Sequence, residues 1–213
     1  YKNPATVCNC SFLDNVLGFE ITDTRFIENS LRPKKFWLID WHVPLPGNIW
    51  LIESRGIFTR THFQKNLVKG GLIHMKSSIV SLNFCSVLEN ISSGGVGLAY
   101  ISSSSQLKFL RTNITKNEHY LDPHQQFGRF HAGMLVVSSS SVVIEDSNIS
   151  YNVLGNGSGF LTGQDVSLGI SNAFFLTNYD LSALSHQGST FLIYVSYGSI
   201  AISDSHFSYN VSS

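Results

Sequence analysis

The chain has 213 residues, which is enough for one domain with a substantial core, and its 14 basic and 14 acidic residues give a formal net charge of zero. Only 13% of the residues are charged, and no basic run is longer than Arg32–Lys35, so there is no electrostatic basis for binding nucleic acid. No apolar segment approaches the roughly 20 residues that a helix needs to cross a bilayer.

An eleven-residue pattern recurs eight times along the chain. Each copy has two alternating apolar positions, a small residue, a bulky apolar residue and, three residues later, an asparagine. Alternation with a period of two is typical of strands, and such repeats predict a solenoid whose units bury their apolar faces against each other. We expect the final asparagines to form left-handed turns and to stack as a hydrogen-bonded ladder. They are Asn15, Asn29, Asn66, Asn90, Asn117, Asn152, Asn178 and Asn210.

The N-terminal third, residues 1–66, is less regular, and we expect it to act as a cap or joint. Its first two copies end only 14 residues apart, too short for a complete coil, so one of them is a cap or a strand that pairs with a neighbouring molecule. Residues 30–55 contain all three tryptophans and three of the five prolines. We interpret them as an insertion whose aromatic residues pack over the side or end of the solenoid. A glycan- or partner-binding surface is the alternative.

From residue 67 to 213 a second strand precedes each copy. Glycine pairs such as Gly70-Gly71 lead into this strand, and serine runs such as Ser102–Ser105 follow it as turns. The asparagines from Asn66 onward lie 24 to 35 residues apart. Because one coil needs roughly 20–25 residues, the longer intervals predict insertions.

These glycine-led segments and the Phe-x-x-Asn motif resemble the repeats of chlamydial-type polymorphic outer membrane proteins and, more broadly, right-handed β-helices of the pectin-lyase-like class. The resemblance covers most of residues 67–213 and implies an all-β fold, a single-stranded right-handed parallel β-helix solenoid. It also implies an extracellular, often adhesive, surface protein. The matching segments are Gly70–Ile73, Gly94–Val96, Phe12–Asn15, Phe26–Asn29, Phe63–Asn66 and Phe207–Asn210.

Asn-x-Ser/Thr sequons are abundant and favour N-glycosylation of a secreted protein. The sequons on outward strand positions or in a glycine-rich turn should be accessible, and they are Asn113, Asn148 and Asn156, followed by Asn9. The sequons at Asn90 and Asn210 occupy ladder positions, where a glycan competes with stacking. In the alternative interpretation, the asparagines serve only hydrogen bonding in turns.

The three cysteines form no zinc signature. Cys10 and Cys85 share one repeat position, and we predict a disulfide that joins Cys85 to Cys8 or to Cys10. The alternative is an unbonded Cys85 that acts as a small buried apolar residue.

Two polar clusters are candidate catalytic or metal sites. Asp146, Asn172 and Asp204 share one position on three successive coils, which would place the two carboxylates about 10 Å apart. An inverting glycosidase needs roughly 6.5–9.5 Å, so we interpret these residues as turn caps.

The second cluster lies in a predicted loop, Glu118–Phe130, and beside it. Its members, His119, Asp122, His124 and His131, match no standard metal-ligand spacing. We therefore predict no metal, no cofactor and no enzymatic activity.

We predict a secreted structural or adhesive glycoprotein, specifically a subunit of a glycan-coated extracellular filament that assembles head to tail. Solenoids have two open ends, and head-to-tail contacts that do not close generate filaments. The final copy, Ser199–Asn210, leaves little room for a C-terminal cap. The first copy could join neighbouring subunits by strand addition. The alternatives are a carbohydrate-active β-helix enzyme and a fragment of an adhesin stalk.

Overall fold

The structure is a computed structural model, and it describes residues 10–13, 18–27, 49–93, 95–120, 133–154, 159–180, 192–208 and 210. Within these residues the chain is all β-strand and winds through seven coils. No helix that could span a membrane occurs in this part of the chain.

The strands follow each other coil by coil. Coil 1 has β1 (Cys10–Leu13), β2 (Phe19–Thr22) and β3 (Arg25–Ile27). Coil 2 has β4 (Ile49–Ile52), β5 (Arg55–Thr59), β6 (His62–Gln64) and β7 (Leu67–Lys69). Coil 3 has β8 (Ile73–Lys76), β9 (Ile79–Asn83), β10 (Ser86–Leu88) and β11 (Ile91–Ser93). Coil 4 has β12 (Val96–Ser102), β13 (Gln106–Leu110), β14 (Asn113–Thr115) and β15 (Glu118–Tyr120).

Coils 5 and 6 each fuse the first two strand positions into one long strand, and coil 7 has three strands within the described residues. Coil 5 has β16 (Gly133–Glu145), β17 (Asn148–Ser150) and β18 (Val153–Leu154). Coil 6 has β19 (Gly159–Ser171), β20 (Phe174–Leu176) and β21 (Tyr179–Asp180). Coil 7 has β22 (Ile193–Val195), β23 (Gly198–Ser203) and β24 (His206–Ser208).

Strands of successive coils pair in parallel and build four faces. The first face contains β1, β4, β8, β12, the first halves of β16 and β19, and β22; the second contains β2, β5, β9, β13, the second halves of β16 and β19, and β23. The third face runs from β3 to β24, and the fourth from β7 to β21. The all-β parallel solenoid predicted from the repeat is confirmed.

The core is the stack of inward side chains that the repeat predicted. On the third face, Phe26 stacks on Phe63 with ring centroids 5.0 Å apart, and Phe175 stacks on Phe207 at 4.6 Å. Aliphatic residues occupy this row in the coils between them. Phe63, Val87, Ile114, Ile149 and Phe175 are fully buried. Because each coil packs only on its neighbours, burial depends on a further coil being present.

The first three corners share one construction. A residue with a positive φ of 45–60° turns the chain, and the next residue points inward. At the third corner the turning residues are Lys65, Glu89, Lys116, Tyr151 and Thr177, each just before a ladder asparagine. The left-handed residue of this turn is therefore the one before each of these asparagines, and the asparagine ends the turn. A left-handed non-glycine residue costs roughly 1–2 kcal/mol. The backbone N–H of each turning residue at the third corner forms a hydrogen bond with a carbonyl of the next coil; for example, Lys65 N donates to Leu88 O.

The first copy of the repeat is out of phase with the others. β1 pairs with β4, so Phe12 stands opposite Leu51 on the first face, whereas Phe26 stands opposite Phe63 on the third. The structure thus supports seven copies of the pattern in one column, beginning at Phe26. The short spacing between the first two asparagines arises because their copies belong to different faces.

The regular coils begin before residue 67. Ile49–Ile52 is a first-face strand in register with Ile73–Lys76, so residues 49–55 do not belong to an insertion as the 30–55 prediction stated. Trp50 lies in this strand, and its ring stacks on His74 with centroids 4.2 Å apart. The expected packing of the other two tryptophans falls outside the described residues. The longer intervals, including 28–48, 121–132 and 181–191, each precede a first-face strand.

Candidate functional site

Six asparagines at the third corner form a continuous ladder. The Nδ2 of each of the first five donates to the Oδ1 of the asparagine one coil further on, at 2.7 to 3.0 Å. The same Oδ1 accepts the backbone N–H of the preceding asparagine at 3.0 to 3.1 Å. The six are Asn66, Asn90, Asn117, Asn152, Asn178 and Asn210. The remaining predicted members, Asn15 and Asn29, lie outside the described residues.

The ladder has a direction. Asn90, Asn117, Asn152 and Asn178 each accept from the coil before and donate to the coil after. The second Nδ2 hydrogen returns to a carbonyl of the preceding coil, for example from Asn90 to Phe63 O at 2.9 Å. Asn210 Oδ1 accepts from the backbone N and from Nδ2 of Asn178, and Asn210 Nδ2 donates to Phe175 O. Continuing the series beyond Asn210 requires an Oδ1 acceptor from a further coil.

The first corner carries a second ladder, made of serines. Ser54 N donates to Ser78 Oγ, Ser78 N to Ser105 Oγ, and Ser105 N to Ser140 Oγ, at 3.0 to 3.1 Å. The serine runs of the sequence predict turns and do not by themselves predict a ladder. The ladder is nevertheless visible in the sequence, because Ser78, Ser105 and Ser140 each stand two residues before the next apolar pair.

The last coil exposes core positions. Ile200, Ile202 and Phe207 are 48%, 50% and 38% exposed. Their register partners one coil earlier, Leu168, Ile170 and Phe175, are at most 2% exposed. The first described coil differs from this last coil, because Phe26 there is only 6% exposed. The described strands of coil 7 therefore present apolar side chains that no described residue covers.

The accessible sequons differ in environment. Asn113 is exposed at the start of β14, and Asn148, its register partner in the next coil, is half-buried. Asn90 is buried, and both of its Nδ2 hydrogens are engaged in the ladder, which leaves no room for a glycan. Asn210 is half-buried in the same role. The sequons at Asn9 and Asn156 lie outside the described residues.

Cys85 has a free, buried thiol. Its Sγ lies 3.3 Å from Phe58 O and 3.4 Å from Asn83 O, and burial raises the pKa of the thiol. The predicted disulfide with Cys8 or Cys10 is not formed. Cys10 belongs to β1 on the first face, two coils and about 10 Å along the axis from Cys85, while bridged residues have Cα atoms roughly 4.4–6.8 Å apart. The shared repeat position was an artefact of the out-of-phase first copy; Cys8 lies outside the described residues.

The carboxylate stack at the second corner is engaged in structural contacts. Asp146 Oδ1 accepts from Asn172 Nδ2 at 2.8 Å, and Asp146 Oδ2 accepts from Arg111 Nε at 3.3 Å. These bonds, that from Asn172 first, lower the pKa of Asp146 below its usual value. A general acid needs a raised pKa, so the environment of Asp146 favours a turn role. Asp204 follows in the same column and is exposed.

Of the four residues in the predicted loop cluster, the structure describes only His119, which lies in the core. Its Nδ1 lies 3.1 Å from Ser92 Oγ on the preceding coil, and its Nε2 is buried without a hydrogen-bond partner. Burial lowers the pKa of His119 to about 4. Asp122, His124 and His131 lie outside the described residues, and the described part of the chain contains no group of three metal-ligating side chains.

Strand order, register and corner ladders together define a parallel β-helix solenoid. No protein-family model and no curated protein matches the chain. Among solved structures it is similar to HetL, a pentapeptide repeat protein involved in heterocyst differentiation regulation from the cyanobacterium Nostoc sp. strain PCC 7120, at 9% identity over 92% of this chain and 88% of that one, with a TM-score of 0.21. It is also similar to QnrB1, a plasmid-mediated fluoroquinolone resistance protein, at 9% identity over 88% and 91% of the two chains, with a TM-score of 0.22.

Proposed function

We propose that this protein is a secreted structural or adhesive glycoprotein whose subunits stack head to tail into an extracellular filament. The observation that carries the proposal is the open last coil, where Ile200, Ile202 and Phe207 are exposed although the equivalent residues of every interior coil are buried. Burying an apolar side chain contributes roughly 1.5–3 kcal/mol, so a further coil placed here would add substantial stability.

The second copy of the chain is the proposed occupant of this end. The described residues of coil 1, where Phe26 is 6% exposed, differ from those of coil 7, where Phe207 is 38% exposed, so the proposed contact joins two different surfaces and does not close on itself. The direction of the asparagine ladder supports the same polarity, because an asparagine in a following coil would continue the series of Oδ1 acceptors beyond Asn210.

N-glycans are the second part of the proposal. Asn113 and Asn148 lie on the outward side of the third face, away from the stacking surface. A glycan at Asn210 would stand at the joint and disrupt the ladder, so we expect Asn210 to remain unmodified. Glycans on the sides would coat a filament without blocking its growth.

For the finer fold assignment we propose a right-handed coil of the pectin-lyase-like class, with repeats of the polymorphic outer membrane protein type. Crossovers between parallel strands are right-handed in about 98% of cases. We propose no enzymatic activity, because the carboxylate at Asp146 is held by Asn172 and Arg111.

The adhesin-stalk alternative is favoured by the same open coil, since further coils of a longer chain would cover it equally well. Electron microscopy of the native, glycosylated chain distinguishes the two functions. We expect fibres for the unmodified chain and for Ile79→Glu, which places a charge on an already exposed side position. We expect single particles for Ile202→Glu, because the charge would be buried in the joint. Dispersed particles of the unmodified chain at high concentration would contradict the filament and favour the stalk.

A further inference from the structure

An outward row of side chains crosses the third face next to the sequon at Asn148. Asn113, Asn148, Phe174 and His206 are register partners on four successive coils. Adjacent strands are about 4.8 Å apart, so each of these residues is the nearest outward neighbour of the next.

The amide of Asn148 presents one edge for modification. Its Oδ1 is buried without a hydrogen-bond partner although the residue as a whole is only half-buried, and Nδ2, the other atom of the amide, is the nitrogen that N-glycosylation modifies. The contrast with Asn90 is chemical, since both Nδ2 hydrogens of Asn90 are already donated. Ser150, the third residue of the Asn148 sequon, is buried and belongs to the same strand.

Phe174 is the register neighbour of Asn148 in the next coil. It is 48% exposed, whereas the adjacent Phe175 fills the core. The ring of His206 lies beyond it, with centroids 6.4 Å apart and planes tilted by 52°. Two neighbouring aromatic rings thus extend from the amide of Asn148 toward the C-terminal end. Asn113 has no such neighbour, because its register partners are Ser86 and Asn148.

We propose that Asn148 carries an N-glycan whose first sugar ring packs on Phe174 and whose second ring reaches His206. The C–H face of a pyranose is apolar and suits the face of an aromatic ring. Phe174 and His206 offer two such rings in succession, with centroids 6.4 Å apart. Packing the glycan on this row would direct it along the solenoid axis. The inference rests on the glycosylation part of the proposed function and assigns a defined contact to the glycan.

The covalent step is the usual transfer from a lipid-linked diphosphate oligosaccharide. The bond between the sugar anomeric carbon and the diphosphate oxygen breaks, and a bond between that carbon and Asn148 Nδ2 forms. One amide proton leaves to a base of the transferase, and the lipid diphosphate is the leaving group.

The test compares four full-length chains secreted from a glycosylating host: unmodified, Phe174→Ala, Asn148→Gln, and the double variant. Phe84→Ala is a matched control, because Phe84 is 50% exposed but lies at the second corner beside Arg111. Glycopeptide mass spectrometry measures occupancy at Asn148, and thermal unfolding is measured for each chain before and after enzymatic deglycosylation.

We expect deglycosylation to lower Tm by about 2–4 °C in the unmodified chain and in Phe84→Ala, as a change of one stacking contact would in a chain of this size. We expect the decrease to disappear in Phe174→Ala and in both chains that lack Asn148. An equal decrease in the unmodified chain and in Phe174→Ala would overturn the contact. An unoccupied Asn148 in a chain glycosylated elsewhere would overturn this inference alone, whereas the absence of any glycan would also overturn the glycoprotein proposal.

Discussion

At the scale of single residues, the side chain of an interior ladder asparagine forms hydrogen bonds with both neighbouring coils. Asn117 Nδ2 donates to Asn152 Oδ1 and Val87 O, and Asn117 Oδ1 accepts from Asn90. Its side chain therefore satisfies polar groups in the coil before it and the coil after it. Buried polar groups that lose their partners cost roughly 1–3 kcal/mol each.

We expect Asn117→Ala to lower the free energy of unfolding by about 3–5 kcal/mol, because it removes the acceptor of Asn90 N and of one Asn90 Nδ2 hydrogen, and the side-chain donor to Val87 O, at a buried site. Asn210→Ala is the control and should cost about 1 kcal/mol, since the equivalent bonds of Asn210 are only partly buried and water can replace them. Urea unfolding measures both. Equal losses for the two variants would show that the ladder is not cooperative between coils.

His119 gives the fold a pH dependence. Burial lowers the pKa of the folded-state imidazole to about 4, below its ordinary value of 6.5, so the unfolded state binds more protons between these pH values. The stabilising contribution is complete above pH 6.5 and is lost as the pH falls toward 4. His74, which is also buried with a pKa of about 4, acts in the same direction.

We expect His119→Asn to reduce the loss of stability between pH 6.5 and 4 by up to about 3 kcal/mol. The measurement is the free energy of unfolding across this pH range, with the exposed His62 replaced by Asn as the control. If the two variants have the same pH profile as the unmodified chain, His119 is not protonated on unfolding in the way that its burial implies.

At the scale of elements, each of the first three corners combines a left-handed residue with an inward residue, and in most coils this inward residue is small and polar. The second corner breaks this rule at Ala173, which lies between Ser147 and Ser205 in its column. Ala173 N donates to Ser205 Oγ, and Thr112 N donates to Ser147 Oγ, as the other corners do. A hydroxyl at position 173 would offer the same acceptor to Ser147 N.

We therefore expect Ala173→Ser to raise the free energy of unfolding by about 0.5–1.5 kcal/mol, the usual net contribution of one hydrogen bond. Ala99→Ser is the matched control, because Ala99 is equally buried but lies in a strand on the first face. Thermal and urea unfolding should show stabilisation for the first variant and destabilisation for the second. A loss of stability in Ala173→Ser would mean that the corner cannot accommodate the hydroxyl.

At the scale of the whole molecule, stability is distributed along the axis. Interior coils such as that of β13 are covered on both sides, whereas β23 is exposed along its whole length. In a solenoid each coil is stabilised by its nearest neighbours, so the open end is the weakest part until something stacks on it.

We expect amide hydrogen exchange to be slowest in β13 and β16 and fast in β23 and β24 of the dispersed chain. On filament formation, protection should increase in β23 and β24 and stay unchanged in β13. Mass spectrometry of exchanged peptides measures this directly. Unchanged exchange in β23 and β24 on assembly would place the joint elsewhere on the molecule.

Several features of the fold followed from the sequence by itself. The inward rows and the position of the asparagines were predictable, because strand periodicity decides which side chains share a face and equal repeats decide which residues stack. Small residues at the second corner were visible for the same reason. The insertions were predictable from spacing alone, since a coil accommodates only a limited length of chain.

Other features depended on which coil lies next to which, and only the tertiary structure decided them. Phe12 matches the repeat as well as Phe26 does, yet β1 pairs with β4 on another face, and this separates Cys10 from Cys85. The turning residue is Lys65 rather than Asn66, because the asparagine side chain must point inward to reach the next coil. The burial of His119 and the exposure of Ile202 are set by the neighbouring coil, which a local pattern does not contain.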